Sequence, residues 1–490
     1  MIDPDTSDQP ITDPEPDDEN PTIPAGYTYL GQFIDHDITF DPVSTLQARN
    51  DPDALTDFRT PRFDLDSLYG RGNADQPYLY ERHDPIDRPD GNTSRLLLGP
   101  EQHPTSVTAP RPDLPRNQDG LALTGDPRND ENTIVSQLQS LFLRFHNRIL
   151  TVVPNTLGAG AQFLETQRQV RWHYQWIVLH DFLPRMVGEE MATAVLPPDG
   201  PPKLRFYAPK HDAYMPVEFS VAVYRFGHSM VRPSYSLSSD VLRGSDASKN
   251  RVPIFSADTG ELASLRGFRP LPAGWGIDWA FFYPDLPQPP GTNPNTNNPY
   301  SPQPDKPFLI PQPSYRIDTL LVDPLAHLPG DPVPMGPSGE VTSSLAERNL
   351  QRGRALGLPS GQAVAKRLGL EPLTDDELWS NDSDQQLDAK RKQILQDFAQ
   401  FKGNAPLWFY ILREAERTRR EGATDPNPRG GHQLGPVGGL MVAEVLVGLA
   451  WADHHSYLYQ DPLWRPRADV ARADGSFAMS DLVRFTDGGS

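Results

Sequence analysis

A mainly α fold with little β structure is predicted by three observations. Apolar residues recur at spacings of three and four in successive segments, prolines gather between those segments, and 490 residues at 37% hydrophobic allow a substantial buried core. Residues 1–22 are rich in Asp, Glu and Pro without an apolar period, so they cannot offset ordering entropy and read as a tail. The first helical pattern is Leu30, Phe33 and Ile34, with Gln32 and His36 four apart on another face. After a polar cluster at 129–133, Ile134, Leu138, Leu141, Phe145 and Ile149 mark an amphipathic helix. The same period runs through 170–183, 219–231, 345–356, 393–418 and 437–451. Prolines total 54, about twice the usual share of roughly 5%. They are densest at 284–315, which reads as a long surface loop. No repeat or dividing boundary is visible, so one large domain over 23–465 is expected, with a C-terminal tail over 466–490.

Charge narrows the partners. Lys and Arg number 45 against 65 Asp and Glu, a formal charge of −20 that repels phosphate backbones and favours cations. A nucleic-acid partner is not expected. With no cysteine, disulfides, Cys-ligated metals and thiol catalysis are excluded, so metal chemistry must use His and oxygen ligands. No run of roughly 18 apolar residues occurs, so no membrane-spanning helix is expected. Residues 1–20 show neither the basic nor the apolar region of a leader, which leaves localisation open; the oligomeric state is open too.

Five segments carry candidate chemistry. In GQFIDHDITF, residues 31–40, Gln32 and His36 stack one turn apart on a helix, while Asp35 and Asp37 splay roughly 100° to either side of the histidine. The tripeptide alone fits a capped surface helix with a partly buried histidine better than a site. In TPRFDLDSLYG, residues 60–70, Thr60, Asp64 and Asp66 offer oxygen donors. A carbonyl near Arg62 and a remote carboxylate, for which Asp37 is the natural choice, complete the roughly six to eight ligands that calcium takes. A solvated Asp-rich turn is the alternative. Arg128 and Glu131 lie in the polar entry to the helix at 134–149. In EFSVAVYRFGHSMVR, residues 218–232, Gly227 costs about 1 kcal/mol of helix propensity beside His228, and close approach of a flat ligand is one reason to accept it. In AERNLQRGRALGLP, residues 346–359, Asn349 and Arg352 stand about one turn apart.

Taken together and in this order, these segments resemble the animal-type haem peroxidases of the peroxidase and cyclooxygenase superfamily, from about Tyr27 to Tyr457. The resemblance implies a helical domain holding haem b between a distal and a proximal helix. It casts His36 as the distal histidine with Gln32 beside it, Arg128 as the distal arginine, His228 as the iron ligand and Asn349 as its hydrogen-bond partner. It implies calcium at Asp37, Thr60, the Arg62 carbonyl, Asp64 and Asp66, and ester links from haem methyls to Asp35 and Glu131. The sulfonium link of some members is not expected, because Asn132 replaces the methionine. Arg225 stands where cyclooxygenases need a tyrosine; with Arg352 it is cast as a partner of the haem propionates.

The expected activity is reduction of hydrogen peroxide with oxidation of a halide, a pseudohalide or a small aromatic donor. A fatty-acid dioxygenase, or a calcium-bound adhesion protein without turnover, is the alternative. His36 would accept and return the peroxide proton, and Arg128 would stabilise negative charge as the O–O bond lengthens. His146, His173 and His180 read as packing or hydrogen-bonding residues, and His454 and His455 receive no role.

Overall fold

The computed structural model describes residues 18–39, 59–81, 94–104, 107–156, 158–210, 212–239, 251–256, 264–287, 311–328, 333–335, 340–342, 344–380, 385–418 and 430–488. Sixteen α-helices are found among them. The first eight are α1 (Gly26–Ile38), α2 (Asp66–Tyr69), α3 (Thr133–Val152), α4 (Ala159–Ile177), α5 (Leu183–Val187), α6 (Glu189–Val195), α7 (Val217–Val221) and α8 (Asp323–Ala326). The rest are α9 (Leu345–Ala355), α10 (Gly361–Leu368), α11 (Asp375–Trp379), α12 (Gln385–Asp397), α13 (Leu407–Arg417), α14 (Pro436–Ala452), α15 (Tyr457–Gln460) and α16 (Met479–Thr486). Strands form only short antiparallel pairs: β1 (Glu19–Pro24) with β4 (Pro313–Tyr315), β2 (Ser234–Tyr235) with β3 (Val252–Pro253), and β5 (Val333–Met335) with β6 (Glu340–Thr342). The fold is mainly α, as the periodicity predicts.

One hydrophobic cluster runs through the helices. Phe33 of α1 stacks on Phe142 of α3 with centroids 5.0 Å apart, and Tyr174 of α4 meets both rings edge-on. Such pairs contribute about 1 kcal/mol each beyond their buried area. They clamp the helix that carries His36 against two longer ones. α3 starts at Asn132, whose side chain accepts from the amides of Ile134 and Val135. That cap satisfies two of the amides a helix leaves open and fixes the helix start beside Glu131.

The structure departs from the sequence expectations at several boundaries. Residues 19–22, assigned to the tail, lie in β1, which pairs with β4 at the end of the proline-rich stretch; residues 1–17 and 288–310 of those two segments lie outside the described residues. The C-terminal segment is not a tail throughout. α16 packs on α3 through Phe485 and Phe145, 5.9 Å apart, and Asp487 receives Arg111 and Arg144 at 2.8 Å each. The expected helix at 219–231 is only α7 followed by a 3₁₀ turn over Val223–His228, because Ala222 leaves helical geometry at φ −126°. The span 393–418 breaks between α12 and α13, where Gly403 takes φ +61° and Pro406 forbids continuation. The span 170–183 widens to a π turn over Val178–Phe182 before Pro184. Among the described residues, no helix is long and apolar enough to cross a membrane.

Candidate functional site

Three chain segments converge on the last two turns of α1. The first is α1 itself, which buries His36 and Asp37 and leaves Gln32 and Asp35 half-buried. The second is a 3₁₀ turn, Pro127–Asp130, opened by Asp126. The third is the loop that leads into α2. Loop and turn approach closely at Gly125, where a Cβ would stand 2.2 Å from the carbonyl of Asp66; the Gly125 amide donates to the Ser67 carbonyl at 2.9 Å.

Both ring nitrogens of His36 face polar groups, but only Nδ1 has one at hydrogen-bond distance. Nδ1 lies 2.7 Å from Oδ1 of Asn129, and Nε2 lies 3.5 Å from Oε1 of Glu131. Gln32 donates from Nε2 to that same Glu131 oxygen and accepts from Asn132 at 3.3 Å. One carboxylate oxygen thus faces both the distal-side amide and the imidazole. The helical spacing of Gln32 and His36 makes this possible.

Arg128 takes a different position from the one expected. Its Nη2 donates to the carbonyls of His36 and Thr39 at 2.8 and 2.6 Å and to Asp126 at 2.7 Å, and its Nε also donates to Asp126. These donors grip the backbone at the end of α1 and not the His36 ring. Arg59 joins the same acid, 2.8 Å from Asp126 and 2.5 Å from Asp66. Burial pushes the Asp126 carboxyl up, but Arg128 and Arg59 outweigh it and hold the group below its ordinary range. Neither Asp126 nor Arg59 was singled out in the sequence. An Asp before a Pro is a turn-capping signal that would have found the first; nothing local marks the second.

Asp37, Asp64 and Asp66 present carboxylate oxygens within 4.8 Å of one another. Both oxygens of Asp37 are buried without a hydrogen-bond partner, and the residue is 1% exposed. Burial, then repulsion by Asp64 and Asp66, pushes its carboxyl well above the usual range. A buried carboxylate without a partner is costly unless a cation meets it, so the donor set fits a hard divalent ion. Leu65 sits between the two loop acids at φ +53°, a left-handed conformation unusual for an apolar side chain. That turn starts α2, and its strain of about 1–3 kcal/mol is of the kind stored at ligand sites. Thr60 donates to Asp64 at 2.7 Å, while the Arg62 side chain is directed to Asp212 and Asp453 at 3.8 and 3.9 Å.

Across from α1 lies the Val223–His228 turn, packed against it. Nδ1 of His228 stands 2.9 Å from the amide of Asn349 on α9. Burial, then the charge of Arg225, pushes the ring's proton affinity down to about 3, with Asp35 of α1 acting in the opposite sense. A Cβ on Gly227 would meet nothing within 4 Å, so open space borders the histidine. Arg225 donates to the Ser220 carbonyl at 3.0 Å, and Arg352 lies about one turn beyond Asn349 on α9. Tyr224, stacked on Phe219 at 4.8 Å, keeps a buried hydroxyl without a hydrogen-bond partner. Imidazole donors on two packed segments, with open space at Gly227 beside one of them, are a set that suits a haem.

Three other histidines, His146, His173 and His180, make hydrogen bonds within the fold. His146 stands 3.0 Å from the Tyr69 hydroxyl and 2.8 Å from the Ser94 carbonyl, and His173 stands 2.7 Å from the Gln169 carbonyl and 3.2 Å from the Arg467 amide. His180 stacks on Trp176 and bonds the Tyr457 hydroxyl.

Residues 52–264 match the family model described as animal haem peroxidase, a span that includes the loop acids, Arg128, Glu131 and His228. Human thyroid peroxidase is 27% identical over 351 residues, covering 69% of this chain and 33% of that protein. The chain thus spans about a third or less of the thyroid peroxidases it matches. Among solved structures, peroxidase A of Dictyostelium discoideum superposes with a TM-score of 0.53 at 17% identity, covering 91% of this chain and 82% of that one. Fatty acid alpha-dioxygenase of Arabidopsis thaliana gives 0.56 at 15% identity, covering 98% and 71%. At such identities the structural likeness shows the fold. The family match over 52–264 and the thyroid peroxidase relatives, with this likeness in fold, support an animal-type haem peroxidase, a family that implies haem binding.

Proposed function

We propose that this protein is a peroxidase that holds haem b between His36 and His228 and uses hydrogen peroxide to oxidise a halide, a pseudohalide or a small aromatic donor. The observation that carries the reading is the pairing of two differently supported imidazoles. His36 is flanked by Asn129 and Glu131, and His228 meets Asn349 on the far side. Bound haem supplies the electrons and the Lewis-acidic iron that cleave the peroxide O–O bond. His36 takes the peroxide proton at Nε2 and returns it to the outer oxygen, which leaves as water. Arg128 keeps His36 in place by gripping its carbonyl, with Asp126 neutralising its charge.

His228, kept neutral by burial and by Arg225, offers a lone pair for iron at Nε2 when Nδ1 carries its proton. A half-turn of the Asn349 amide presents its oxygen to that proton. Being an amide, it cannot take the proton fully, as a carboxylate could, so the imidazole keeps weak anionic character. Arg225 and Arg352 are assigned to the propionates, and Asp35 and Glu131 to ester links. Calcium is assigned to Asp37, Asp64 and Asp66, with Thr60 and the Arg62 carbonyl; it stiffens the residue next to His36 and takes no part in redox chemistry.

A second reading, fatty-acid oxygenation, is favoured by the unpartnered buried hydroxyl of Tyr224. It has Arg225 against it, at the position where cyclooxygenases carry tyrosine. Haem-loaded protein given peroxide with guaiacol or bromide should turn over. Oxygen uptake with linoleate in the absence of peroxide, without guaiacol or bromide oxidation, overturns the peroxidase reading in favour of the second. Bound haem whose spectrum peroxide leaves unchanged would instead point to a binding protein without turnover.

A further inference from the structure

We infer that Asn129, itself held by Gln139, is a positioning residue that selects the tautomer of His36, keeping the proton on Nδ1 and leaving Nε2 bare. The inference rests on the reading of His36 as the proton acceptor. A backbone carbonyl can only accept, and this sets the direction of the whole relay. Gln139 Nε2 therefore donates to the Ser67 carbonyl at 2.9 Å, and also meets the Thr124 hydroxyl at 3.2 Å. Its Oε1 is then left to accept from Asn129 Nδ2 at 2.8 Å and from the Ser67 hydroxyl at 3.2 Å. Asn129 consequently turns Oδ1 toward His36 Nδ1 at 2.7 Å, and an oxygen there requires an N–H.

A lone asparagine could reverse its amide and present a donor instead. Here reversal would set Nδ2 of Asn129 against the imidazole N–H and its oxygen against that of Gln139. Ser67, Asn129, Gln139 and His36 are all less than 5% exposed, so water is not at hand to repair the mismatch. Gln139 sits among the apolar residues of α3, where a polar side chain is retained for a partner and not for solvation. The proton balance follows: peroxide gives its proton to bare Nε2, the ring becomes an imidazolium with both nitrogens protonated, and the Nε2 proton leaves on the outer oxygen while Nδ1–H stays with Asn129.

The test is ¹⁵N NMR of the full chain labelled in histidine, with the His36 signals identified by their loss in His36→Gln. Wild type should show a protonated Nδ1 and a bare Nε2. Asn129→Leu should lose that pattern and slow the reaction of haem-loaded protein with peroxide by roughly 10–100-fold. Gln139→Leu, which frees the Asn129 amide, should give a mixture of tautomers. A protonated Nε2 in wild type, or an unchanged tautomer in Asn129→Leu, overturns the inference. The expected tautomer without peroxide consumption supports it and overturns the peroxidase reading; peroxide turnover with the wrong tautomer does the reverse.

Discussion

Stripping divalent cations from the Asp37, Asp64 and Asp66 cluster should destabilise the folded chain, and Asp37→Asn should abolish that dependence. The oxygens lie within 4.8 Å of one another, and two unit charges at that distance repel by about 3 kcal/mol at an effective dielectric constant of roughly 20. Arg59, 2.5 Å from Asp66, offsets part of this, and the 26% exposure of the Asp66 side chain screens more. Asp37 has less relief, since it is 1% exposed, its two oxygens have no hydrogen-bond partner, and the charges of Arg59 and Arg171 do not outweigh its burial. A cation present at a hundredfold its dissociation constant adds about 2.7 kcal/mol to the folded state. Asp37→Asn keeps the side-chain volume and removes two of the three repelling pairs. The metal-free variant should therefore unfold at or above the temperature of metal-free wild type, while millimolar calcium should raise only wild type. Thermal unfolding followed by circular dichroism, with chelator or calcium at matched ionic strength, reads both effects. A wild-type midpoint indifferent to calcium, or a variant that gains as much as wild type, refutes the reasoning.

His146 and His173, both fully buried, have proton affinities pushed down to about 4, by burial first. The unfolded chain, near 6.5, binds protons that the native state refuses, so stability should fall as pH drops from about 6.5 to 4, by up to about 3 kcal/mol per ring. Urea unfolding at a series of pH values checks this, and His146→Gln should flatten part of the slope. If Asp35 and Glu131 are ester-linked to haem methyls, acid acetone should leave the haem with the protein. Asp35→Ala combined with Glu131→Ala should release it, as seen in the colour of the organic layer.

Local sequence was enough to specify the helices and the order of the chemical groups. Gln32 and His36 share a face of α1 because four residues make about one turn of any α-helix. Asn132 caps α3 because a short polar side chain before an apolar run satisfies open amides whatever lies around it. Asp37 and the acids of the loop were paired in the sequence on chemistry alone, and the structure brings their oxygens together. Local pattern failed where one residue broke an otherwise apolar period, as at Ala222 within 219–231, and where distant strands paired, as β1 does with β4. Only tertiary packing decided the partners that act across the site. Gly125 lets the loop and the 3₁₀ turn approach, so that Asp126 gathers Arg59 and Arg128 and points the latter at a carbonyl. The same contact stacks Ser67, Gln139 and Asn129 behind His36. Hydrogen-bond direction depends on which acceptor stands at the end of such a relay. Ser67 and His36 are brought to its two ends by folding, so no spacing along the chain encodes it.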